Sequence, residues 1–129
     1  MATLKTTLTL SSTDATSDRL NISVSDTLTT TNPAVNIARA SVDTTGANNI
    51  IQPNTDGQTY YVYVKHTGVD AAGSAVTSTL TVEKTGDVIF AKLAPGEFAF
   101  FPCGGASHGI QLEASASTII AEYAYWTRG

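Results

Sequence analysis

Apolar side chains recur at every second position over long parts of this chain, and that spacing restricts the fold more than any other feature. In residues 2–10, Leu4, Leu8 and Leu10 share one face with Ala2 and Thr6, while Thr3, Lys5, Thr7 and Thr9 occupy the other. Leu20, Ile22 and Val24 alternate with Asn21, Ser23 and Ser25. Near the end, Ile119, Ala121, Tyr123 and Tyr125 alternate with Ile120, Glu122, Ala124 and Trp126. A period of two puts successive side chains on opposite sides of a pleated strand, whereas a helix needs a period of 3.6. Composition agrees. Thr and Ser fill about a quarter of the chain, and β-branched Thr favours extended backbone. Charged residues are only 14%. A Thr-rich, charge-poor chain fits an all-β protein with exposed strand faces.

The remaining strands follow from shorter patterns. Thr59–Thr67 is dense in aromatic and β-branched residues, which predicts a central strand with partners on both sides. Leu80 and Val82 alternate with Thr79, Thr81 and Glu83, and Ile110 and Leu112 begin another strand. Thr27–Thr31 extends the second strand beyond a kink at Asp26. Val35, Ile37 and Val42 mark a third stretch, with a short helix over 33–40 as the competing reading. Ile50 and Ile51 read as a small apolar spot before Pro53. Asp87–Pro102 reads as strand, tight turn, strand: Pro95 pre-sets φ, and Gly96 supplies the positive φ of a type II turn. These flanks are expected to pair as a hairpin. With turn signals at Asn32-Pro33, Gly46, Asn54–Gly57, Gly68–Ser74 and Cys103–Gly109, the spacing predicts about eight to ten short antiparallel strands in a single, jelly-roll-like β-sandwich. The domain is expected to span 1–129, with 1–12 as an N-terminal arm or an edge strand.

Candidate chemistry is sparse. His66 and His108 lack the clustered ligands of a cupin-like metal site. Cys103 with His108 five residues on is not a dyad by proximity alone, and a buried or interface thiol is the better reading. Asp14, Asp18, Asp43 and Asp56 lie in loops that could offer oxygen to calcium, but they have no EF-hand spacing and read as solvated acids. No catalytic residue, cofactor or metal is therefore expected. The seven Lys and Arg residues are scattered in a chain of net charge −4, so nucleic acid is not an expected partner. No run of about 18 apolar residues spans a membrane. Met1–Thr7 lacks the basic and apolar regions of a secretory signal. The single Cys103 excludes an internal disulfide.

Aromatic residues point elsewhere. In the pairs Phe100-Phe101 and Tyr125-Trp126, consecutive rings must face opposite sides of a strand. One core cannot hold both, so a second covered surface is expected. Candidate interface residues are Phe100, Phe101, Tyr125 and Trp126, together with Leu4, Leu8 and Leu10 of the opening strand.

Three segments carry a family resemblance: Tyr60–Gly68, then Ile89–Pro102 with its Leu93-Ala-Pro-Gly-Glu97 turn, then Glu122-Tyr123. In that order they resemble small structural proteins of tailed-bacteriophage virions, over roughly the C-terminal half. The resemblance implies a non-enzymatic virion component assembled in the host cytoplasm. The first expectation is a capsid decoration or cement protein that binds between subunits of the major capsid protein. The implied partners are that protein or other virion proteins, and a homo-oligomer, with a trimer as the form that fits shell symmetry. The alternative is a tail, fibre or receptor-binding β-sandwich that recognises carbohydrate, with Asn48, Asn49, Gln52 and Asn54 beside Tyr60 as its platform.

Overall fold

Period-two patterning builds strands almost throughout. The computed structural model describes residues 2–33, 37–52, 59–104 and 109–129. Among them are ten strands: β1 (Ala2–Ser12), β2 (Leu20–Pro33), β3 (Ala38–Val42), β4 (Ile50–Gln52), β5 (Tyr60–His66), β6 (Leu80–Lys84), β7 (Val88–Leu93), β8 (Phe98–Cys103), β9 (Ile110–Ala114) and β10 (Ile119–Arg128). All pairings are antiparallel. One sheet has the order β1-β2-β10-β5-β8, with β3 also on β10; the other has the order β4-β9-β6-β7. The protein is an all-β sandwich.

The two sheets meet through their inward alternate residues. Val42, Tyr60, Val62, Val64, Ile119 and Ala121 come from the first sheet. Ile51, Leu80, Val82, Leu93, Ile110, Leu112 and Ala114 come from the second. β5 lies between β10 and β8, as its aromatic density predicts, and it is buried along most of its length.

Two local expectations are corrected, and a third is met where residues are described. Ile50 and Ile51 belong to a strand, β4, on which Ile51 points into the core and Ile50 is half-exposed. β2 runs through Asp26 as one continuous strand. Of the extended stretch marked by Val35, Ile37 and Val42, Val35 lies outside the described residues, and Ala38–Val42 is a strand rather than the competing helix.

The largest correction concerns Asp87–Pro102. The turn forms as expected: Glu97 N–H donates to the Ala94 carbonyl (3.0 Å), and Gly96 sits at φ 89°. The flanks do not pair as a hairpin. β7 pairs with β6 in one sheet, and β8 pairs with β5 in the other. A type II turn lacks the twist that keeps two strands in one ladder and splays them instead. Here the splay becomes a corner between sheets. His66 clamps it, because His66 N–H donates to the Glu97 carbonyl and Gly96 N–H donates to the His66 carbonyl, both at 2.9 Å.

β1 and β2 depart from the sandwich. They pair with each other over eleven positions, from Ala2↔Thr30 to Ser12↔Leu20. β2 pairs in register with β10 at Thr30 and Pro33, and Gly129 N–H donates to the Thr29 carbonyl (2.7 Å). Residues 2–28 thus form a two-stranded ribbon about 30 Å long, with two open edges beyond that anchor. β1 is the edge strand of this sheet and projects together with β2 as a hairpin.

Core and ribbon should respond differently to truncation. Leu112→Ala, at a fully buried position, is expected to cost about 2–5 kcal/mol in urea unfolding. Leu10→Ala, at a position 45% exposed, should cost less than about 1 kcal/mol in the dilute protein.

Candidate interaction surface

Pairing across the ribbon places Leu4, Leu8 and Leu10 opposite Leu28, Val24 and Ile22. Cross-strand partners lie on the same face of a sheet, so one side of the ribbon is an apolar stripe, interrupted by the Thr6–Asp26 pair. The other side carries Thr3, Lys5, Thr7 and Thr9 opposite Thr29, Thr27, Ser25 and Ser23. Leu8, Leu10, Ile22 and Val24 are each 42–55% exposed. A two-stranded hairpin is marginal in water without a third strand or a packed face. This stripe lacks that cover over most of its length.

The consecutive aromatic pairs divide as pleating requires. Phe101 turns inward, meeting Phe90 of β7 edge to face at 5.1 Å between ring centres. Tyr125 also turns inward, against Tyr60 at 5.8 Å. Phe100 and Trp126 face outward. Phe100 stacks on Tyr61 at 6.3 Å with planes 12° apart, and remains 40% exposed. Of the seven candidate interface residues, Phe101 and Tyr125 thus pack against the sandwich core, while the other five lie on or beside the ribbon and the outer sheet face.

Leu4, Leu8 and Val24 of the ribbon and Phe90, Phe98, Phe100 and Trp126 of the sandwich line one groove of about 1160 Å³. Its walls are chiefly apolar, with Lys5, Asp26 and Lys84 as the charged members. Phe98 is 64% exposed, and the neighbouring edge strand adds exposed Val88, Ile89 and Phe90. Alternation could not single out Phe90 and Phe98, which looked like ordinary members of a hairpin. The available signal was the unbroken run Val88-Ile89-Phe90, apolar on both faces of a strand.

The chemically suggestive residues are committed to structure. His66 is fully buried; its Nε2–H donates to the Ser78 carbonyl (2.8 Å), and its Nδ1 accepts from Gly68 N–H (2.9 Å). Both ring nitrogens are therefore used. Cys103 is buried in the core, and burial pushes its thiol pKa up, away from a reactive thiolate. His108 lies outside the described residues, as do Asn54 and Asp56. Tyr60 is 6% exposed, so the carbohydrate platform imagined around it is corrected: that ring belongs to the core. Asp14 is exposed and accepts from the Ser12 hydroxyl.

Asp43 organises the turn that follows it. Its carboxylate accepts from Thr45 N–H (2.8 Å), from the Asn49 amide (2.9 Å) and from the Asn48 amide (3.3 Å). The Thr45 bond most, then the Asn49 and Asn48 bonds, hold this carboxyl below its ordinary range. That contribution to stability is present above the ordinary carboxyl pKa and is lost as pH falls through the lowered value.

The same turn covers an acidic group that sequence reasoning missed. Glu83 on β6 is 1% exposed, and oxygens of Glu83, Asp87 and Glu113 lie within 4.8 Å of one another. Buried Gln111 donates its amide to Asp87 (2.8 Å). Gly46 closes the space: a Cβ there would lie 2.5 Å from Gln111 Nε2 and 3.1 Å from Glu83 Oε1. Three carboxylates at this spacing could bridge a divalent cation. They also account for themselves through protonation. Burial most of all, then Glu113, then Asp87, push the Glu83 carboxyl above its usual range, against the opposing Gln111 amide.

No family model matches the chain, and neither a curated protein nor a solved structure does.

The raised Glu83 carboxyl has a definite sign. The folded state holds that proton more tightly than the unfolded chain, so its stabilising contribution is full below the ordinary Glu pKa and is lost as pH rises through the folded value. Glu83→Gln keeps the shape and removes the charge. It should raise stability near pH 8 and leave it nearly unchanged at about pH 4. Thermal melts across this range check both ends.

Proposed function

We propose that this protein is a non-enzymatic structural subunit of a tailed-bacteriophage virion. Within the virion we assign it to capsid decoration, binding between subunits of the major capsid protein. The observation that carries the reading is the apolar ribbon and groove, set on a sandwich whose His66 and Cys103 serve packing. A shell-clamping subunit needs a stiff body and an uncovered surface that a neighbour can bury.

Strand order adds support at the level of architecture. Without the ribbon, the sheets read β3-β10-β5-β8 and β4-β9-β6-β7. We read these eight strands as a jelly roll, an architecture used by viral capsid proteins but also by lectins and cupins. Fold alone does not assign function; the uncovered ribbon tips the choice. The resemblance of Tyr60–Gly68 and Ile89–Pro102 to small virion proteins points the same way.

Cosedimentation with empty phage shells tests this reading. Wild-type protein is expected to pellet with shells, and Phe98→Asp, at an exposed position, should weaken binding at least tenfold while keeping the wild-type melting profile. Binding to polysaccharide with none to shells would replace this reading with carbohydrate recognition.

A further inference from the structure

We infer that the groove is filled by a second copy of this chain: the apolar stripe of one ribbon covers the Phe90, Phe98 and Phe100 wall of its neighbour. This names a partner for the interaction surface. It rests on the reading of that surface as an assembly element, but not on the partner shell.

The first argument is area. The chain exposes 7369 Å² at a mass of 13.4 kDa. A compact monomer of this mass exposes about 6500 Å². The excess, about 900 Å², is close to the roughly 800 Å² that each partner contributes to a stable interface of standard size. A compact sandwich with its ribbon covered would have the expected surface.

The second argument is complementarity within one sequence. Both halves of an apolar interface are present, and each is uncovered. The ribbon offers Leu8, Leu10, Ile22 and Val24, all more than 40% exposed. The wall offers Phe90 at 50% and Phe98 at 64%. Aromatic rings of this kind anchor interface cores, where charged residues are depleted. The groove's three charged lining residues, Lys5, Asp26 and Lys84, provide little for a strongly charged partner to recognise.

The third argument is the state of the edges. β1 and β8 end the same sheet at opposite sides. Unpaired edges invite strand addition unless charge, proline or a bulge blunts them. β1 carries one charged residue, Lys5, in eleven. A neighbour laid along the ribbon would shield this edge together with the stripe.

Sedimentation equilibrium of the full chain over the micromolar range gives the direct test. The expected mass is a multiple of 13.4 kDa. Val24→Asp on the stripe and Phe98→Asp on the wall should each reduce it to the single-chain value, while Thr27→Asp on the polar face should not. A wild-type monomer throughout, or an oligomer that survives both apolar-face changes, overturns the inference. Should either variant misfold by circular dichroism, cysteine crosslinking decides. Val24→Cys chains mixed with Phe98→Cys chains and oxidised should give the mixed covalent dimer in excess of either like pair. Like pairs alone would overturn it. Shell binding by a protein that stays monomeric would separate the failure of this inference from failure of the virion reading.

Discussion

The structure depends on how β10 shares its two edges. Along one edge it pairs with β5 over seven positions, from Ala121↔His66 to Thr127↔Tyr60. Along the other it pairs first with β3 and then, after Tyr123, with β2. One strand therefore closes the sandwich and holds the ribbon. Its inward residues Ile119 and Ala121 are fully buried, while outward Trp126 looks into the groove. Any change that shifts β10 by one position would exchange these two faces, because side chains alternate strictly along a strand.

This division of labour explains why the protein looks complete from inside and unfinished from outside. The space between the sheets is filled by aliphatic residues, the Phe90–Phe101 and Tyr60–Tyr125 contacts seal it, and His66 pins the corner turn with its backbone while its ring holds Ser78 and Gly68. On the outer face of the first sheet Tyr61 and Ala124 are buried, but Phe98 and Phe100 remain exposed. The acidic group beneath Gly46 shows another solution, in which buried carboxylates are kept by a covering turn and an amide.

Much of this was legible from alternation. The inward and outward faces of β1, β5 and β10 follow directly from the spacing of Leu4, Leu8, Tyr61, Tyr63, Ile119 and Trp126, since a two-residue period is local information. Which strands pair is not local. Asp87–Pro102 contains a real type II turn, yet nothing in its residues says whether the following strand returns to the same sheet or crosses to the other. β4 was hidden because three residues are too few to display a period. Glu83 was hidden because burial of an outward-facing residue depends on a distant segment, the turn held by Asp43, folding over it. The groove arises the same way, from a ribbon whose anchor lies a hundred residues later in the chain.

That separation has a consequence for biogenesis. The ribbon's two strands are neighbours in sequence and can zip together while the chain is still emerging from the ribosome, but the residues that fasten them, Trp126 and Arg128 opposite Pro33 and Thr30, are made more than ninety residues later. Until then a greasy hairpin is tethered to a body that is not yet complete. Contacts spanning so much of the chain close slowly, and exposed strand edges are sticky in the interval. Thr, dense on the hairpin's wet side, favours extended backbone in that interval.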